Sequence, residues 1–197
     1  MKSGLTPLPV SYIRTANLLA SLSWVKIDFF WNLLHRELGK NRMVSLNMSL
    51  SADFKLWEFV KSVTADQNGI KNLPNETEVA HLRSLCQKIL QPARKALGPL
   101  KISSGFRSDE LNRLVGGAEK SDHRLGYAAD IIPYNVGTRK FAEWVVKNCP
   151  QFDQVILEFG TLTNPSWIHV GISPRNRKQV LRATYKNDKV VYEPIKL

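Results

Sequence analysis

The stretch Ser121-Asp122-His123-Arg124-Leu125-Gly126-Tyr127-Ala128-Ala129-Asp130 runs from a polar turn into a strand over residues 127–132, which Pro133 closes. It places an imidazole and a carboxylate within one short segment. Its small residues Gly126, Ala128 and Ala129 leave room for a metal ion and a substrate chain. Far downstream, Trp167-Ile168-His169-Val170 supplies a second imidazole on another strand. Zinc takes imidazole nitrogen and carboxylate oxygen at about 2.0–2.2 Å, and catalytic sites use three protein ligands plus water. His123, Asp130 and His169 are therefore the candidate ligands for one zinc ion per chain.

Alternation along the strands supports convergence. In residues 167–172, Ile168, Val170 and Ile172 share one face, and His169 projects from the other. In residues 155–159, Val155, Leu157 and Phe159 make the apolar face and Glu158 lies opposite. If both strands join one sheet with their aliphatic faces toward the helices, Glu158 and His169 share its open side. Asp130 has Ala128 and Ile132 on its own face and Ala129 and Ile131 on the other, so alternation leaves its direction open.

Outward from the motif, helices come first and strands cluster late. Ser51 caps an expected helix through Leu56, Phe59 and Val60, and Asn68-Gly69 marks a turn. Pro74-Asn75-Glu76-Thr77 leads into a second helix, with Val79, Leu82, Leu85, Ile89 and Leu90 on one buried face and a kink expected at Pro92. Residues 100–104 read as a strand, 108–115 as a helix capped by Ser108, and 138–148 as a helix capped by Thr138. Three or four strands follow, at 154–159, 167–172, 179–185 and 190–193. This order predicts an α+β domain: an antiparallel sheet of about four strands with helices packed on one face.

The chain of 197 residues carries a net charge of +11, which suggests nucleic-acid binding. The distribution argues against it. Residues 1–47 hold 6 Lys/Arg against 2 Asp/Glu, and residues 175–197 hold 7 against 2. Residues 48–174 hold 15 against 13, so the part with the metal motif is nearly neutral. No nucleic-acid partner is expected. The run Arg175, Arg177, Lys178, Arg182 reads as a solvated basic edge or as a contact for an anionic wall polymer. Cys86 and Cys149 read as free core thiols, and His35 and His81 as structural histidines.

Residues 1–47 form an N-terminal extension of uncertain role, and residues 48–197 the domain. The apolar stretch at 18–34 is interrupted by Lys26 and Asp28, so no transmembrane segment is expected. It also makes a poor signal peptide. Met43 and Met48 are alternative starts.

The spacing Ser121-x-His123-x-x-Gly126-x-Ala128-x-Asp130, with Ser104-Gly105-Phe106-Arg107-Ser108 upstream and Trp167-Ile168-His169-Val170 downstream, resembles the zinc D-Ala-D-Ala carboxypeptidase superfamily. This is the Hedgehog/DD-peptidase fold, which includes phage peptidoglycan endopeptidases. The similarity is strongest to small phage and prophage members and covers about residues 48–174. It implies a mononuclear zinc peptidase acting on peptidoglycan peptides, with His123, Asp130 and His169 as ligands. It implies that Arg107 sits by the developing oxyanion or forks a substrate carboxylate, and that Ser121 orients substrate. Many members place an acidic base three residues before the last histidine. Ser166 stands there and cannot serve. Glu158 is the replacement, with Asp122 and Asp153 as fallbacks. The expected molecule is a monomer. Its target lies in the periplasm or cell wall, reached with a phage holin or by virion delivery. The alternative is an inert phage structural or wall-binding module of the same fold.

Overall fold

A computed structural model describes residues 45–197. The expectations for the 18–34 segment and for His35 lie outside the described residues. At the start of the described chain, the Leu46 carbonyl accepts from the Trp57 N–H and the Met48 carbonyl from the Leu56 N–H, so the entry segment is laced to the first helix, α1 (Leu56–Val60). The expected cap at Ser51 is wrong: the helix begins after Lys55, whose N–H donates to Glu58 at 2.8 Å. Ser51 instead donates to the Gln91 side chain at 2.8 Å, because its segment folds over a later helix. Helix α2 (Val63–Gln67) follows, capped by Ser62.

Helix α3 (Glu76–Leu85) opens with a reciprocal capping box between Asn75 and Glu78. A single π turn, Cys86–Leu90, intervenes, and the Gln91 N–H reaches back to the Cys86 carbonyl. Pro92 then falls in the first turn of α4 (Gln91–Leu97), directly after the π turn. Strand β1 (Leu100–Ser104), helix α5 (Asp109–Leu114) capped by Ser108, the 3-10 turn Asp122–Leu125 and strand β2 (Ala128–Pro133) come next. Helix α6 (Thr138–Asn148) starts from Gly137. Thr138 is not the cap, because its hydroxyl donates to the Pro165 carbonyl at 2.7 Å.

Strands β3 (Gln154–Glu158), β4 (Trp167–Gly171), β5 (Gln179–Lys186) and β6 (Lys189–Pro194) complete one sheet of six strands, not about four, in the order β1-β2-β4-β3-β5-β6. It is also not purely antiparallel, since β3 and β5 run parallel. The cause is topological. Strand β4 has β2 on one edge and β3 on the other, so the chain leaving it cannot pair beside β4 and pairs instead with the outer edge of β3. Residues Ala129, Ile131, Val155, Leu157, Ile168 and Val170 form the inner face. They pack with Phe141 and Val145 of α6 and Leu82, Leu85 and Ile89 of the long helix. Cys86 and Cys149 are buried free thiols in this core. Burial pushes both up, Cys149 to about 11. Among the described residues no helix is long and apolar enough to cross a membrane.

Candidate metal centre

The outer face of the sheet carries the chemistry. Asp130 of β2 and His169 of β4 are direct cross-strand partners, which settles the direction that alternation left open. Glu158 pairs across β3 and β4 with Trp167, and so lies on the same face one diagonal step from His169. His123 comes from the 3-10 turn, which ends at Gly126 with φ of 71°. A Cβ there would lie 2.5 Å from the Glu78 carbonyl oxygen, so a bare glycine lets the turn seat against α3. His81 braces the same turn. Its Nδ1 donates to the Leu125 carbonyl at 2.8 Å, its Nε2 accepts from the Tyr127 hydroxyl at 2.9 Å, and its ring stacks on Tyr127.

Three buried donor atoms converge. His123 Nε2 lies 3.1 Å from His169 Nδ1 and 3.2 Å from Asp130 Oδ1, and His169 Nδ1 lies 3.2 Å from the same oxygen. The His123 Nδ1 faces the Gly105 carbonyl at 2.6 Å. A carbonyl only accepts, so Nδ1 holds the proton and Nε2 presents a bare lone pair. A tetrahedral ion with bonds of about 2.0–2.2 Å holds its ligands roughly 3.3–3.6 Å apart, within a few tenths of this triangle. The set of two imidazoles and one carboxylate fits zinc. Burial alone would raise Asp130, but when the two rings carry protons the charges and hydrogen bonds of His123 and His169 hold its carboxyl well below the usual range.

Arg107 is committed to the centre itself. Its Nη2 donates to Asp130 Oδ2 at 2.9 Å and its Nε to Ser104 Oγ at 2.9 Å, while Ser103 Oγ donates to the Asp130 carbonyl at 3.0 Å. A cleft of about 460 Å³ opens beside Arg107 and Ser104, with Lys61, Lys101, Phe106 and Leu111 among its walls. Ser121 precedes the turn, half-buried, and its carbonyl accepts from the Arg124 N–H. Ser166 is exposed. Burial and the neighbouring Asp130 charge raise Glu158 to about 7, against the opposing pull of His169, Arg107 and the Trp167 indole.

The fallback bases Asp122 and Asp153 are corrected by their partners. Asp122, 5% exposed, accepts from Arg175 and from Arg177 Nη2 at 3.0 Å. Asp153, fully buried, accepts from the Arg177 N–H at 2.6 Å and its Nη2 at 2.5 Å. Neither oxygen set is free to take a proton from substrate. In the basic run, Arg175 and Arg177 hold these acids, while Arg175 and Lys178 stay exposed. Lys178 donates to the Phe152 carbonyl at 3.0 Å, as well as to that of Pro150. These ties, and those of Ser103 and His81, have no signature in the sequence, since the partners stand tens of residues apart.

The peptidase M15 family model matches residues 52–171, a segment that includes all three donors, Arg107 and Glu158. No curated protein matches the chain.

Proposed function

Because the chain belongs to the peptidase M15 family, we propose that it is a zinc-dependent peptidase that hydrolyses peptide bonds of bacterial peptidoglycan. The observation that carries this reading is the buried triangle of His123 Nε2, Asp130 Oδ1 and His169 Nδ1. These residues would hold the zinc. When bound, the ion supplies a water acidic near neutral pH and Lewis-acid polarisation of the scissile carbonyl. The protein supplies the rest. Arg107 fixes the second oxygen of Asp130, so the carboxylate presents one oxygen to the centre. Glu158 takes a proton at its carboxylate from the attacking water and returns it to the leaving amine.

Metal analysis and mass spectrometry of digested peptidoglycan test this directly. One zinc per chain and new stem-peptide fragments are expected, with both lost in His123→Ala. Wall cleavage that survives in the zinc-free variant overturns the assignment. A second reading, an inert wall-binding module, is favoured by Ser166 at the position of the usual acid. It predicts zinc and wall binding without any cleaved bond.

A further inference from the structure

Arg177 lies beyond the matched segment, on the loop between β4 and β5, yet its side chain joins the parts of the chain that carry both histidines. Through Nη2 it holds Asp122, the residue next to His123 in the 3-10 turn, at 3.0 Å. Through its backbone N–H, Nε and Nη2 it holds Asp153 at 2.5–3.1 Å. The Asp153 N–H in turn donates at 2.7 Å to the carbonyl of Gly171, two residues past His169 on β4. Arg175 closes the cluster from the other side, on Asp122 and on Ser173 Oγ at 3.0 Å. A planar guanidinium with several fixed donors is suited to set two carboxylates at one distance, which a flexible ammonium is not.

We propose that Arg177 is a positioning residue for the metal centre, setting the turn of His123 against the strand of His169 through Asp122 and Asp153. The inference rests on the reading of those histidines as ligands. A ligand triangle only 3.1–3.2 Å on a side tolerates little drift, and one of its corners stands on a short turn rather than on the sheet. Partners outside the ligand set commonly hold about 10–100-fold of a metal's affinity by orienting the ligands. The strands after residue 171 are then part of the working centre.

The test is zinc affinity by chelator competition, with the visible spectrum of the cobalt(II)-substituted protein, on Asp122→Asn, Arg177→Lys and Lys178→Met. Asp122→Asn leaves the Arg177–Asp153 pair in place and weakens the charged ties of Arg177 and Arg175 to the turn. Zinc affinity is expected to fall about 10–100-fold in Asp122→Asn and Arg177→Lys, with a changed cobalt spectrum. Lys178→Met, which loses bonds in the same loop but none to Asp122, is expected to lower the melting temperature and leave affinity and spectrum unchanged. Wild-type affinity in both cluster variants overturns the proposal. So does failure of either to fold, since that assigns the cluster to stability alone. A wild type that takes up no zinc removes the metal reading itself, and this inference with it.

Discussion

Strand β3 has an acid at each end, and the two have opposite fates. Asp153, just before the strand, is fully buried and held by Arg177 through backbone and side chain. Burial would raise it, but the Arg177 hydrogen bonds and charge, with Arg175, keep its carboxyl below the usual range. Glu158, the last residue of the strand, is partly buried on the outer face, and among the described residues no cation pairs with it. Arg107, whose charge reaches Glu158, already holds Asp130. Glu158 is accordingly raised to about 7. A carboxylate with a fixed cation is spent on holding the fold. One left without a cation beside the proposed metal centre remains able to move a proton.

The largest effect expected from this contrast is in Glu158→Gln. It keeps the shape and the ligand triangle but removes the proton acceptor. Turnover of muropeptides should fall about 10²–10⁴-fold with one zinc per chain retained, read by kinetics and metal analysis on the same sample. Wild-type turnover would move the base elsewhere and remove the contrast. A smaller effect, of another kind, is expected from Asp153→Asn. The variant loses charge-assisted bonds to Arg177, so stability should fall by about 1–3 kcal/mol in urea unfolding. No measurable loss would mean that Asp122 alone satisfies the arginine.

The same contrast shows what the sequence disclosed. The cluster of His123, Asp130 and His169 was legible because its chemistry is local: His123 and Asp130 share one short motif, and His169 sits on an alternating strand whose other face is aliphatic. The side taken by Glu158 followed from that alternation. The β3–β5 parallel pairing was not legible, since strand patterns carry no record of which edge is already taken. Nor was the commitment of Asp122 and Asp153, because their arginines are 53–55 and 24 residues away. Charge counting by segment assigned Arg175 and Arg177 to a basic flank. In the fold they neutralise buried acids, so a local excess of cations was set against acids elsewhere in the chain.

The smallest effects are the pH slopes, and the two acids should tilt stability in opposite directions. A folded carboxyl held below its unfolded value binds its proton less tightly when folded. The stability from Asp153 is therefore fully present above about pH 4, the unfolded carboxyl range, and is lost as pH falls through the lower folded value. A folded carboxyl raised above its unfolded value does the reverse. In the chelator-treated protein the contribution of Glu158 is present below about pH 4.5 and is lost as pH rises toward about 7. Urea unfolding of the metal-free protein across pH 3–8 should show both limbs. Asp153→Asn should make only the acid limb shallower, with Asp130 supplying the remainder, and Glu158→Gln should flatten only the limb between about 4.5 and 7. Glu193 supplies the control. It too is pulled down, by its bond to Lys186, but that pair is exposed and screened by solvent, so Glu193→Gln should leave both limbs unchanged. If the Glu158 limb is missing while the Asp153 limb is present, then Glu158 has a cation partner in solution, and its place as the free acid of β3 is lost.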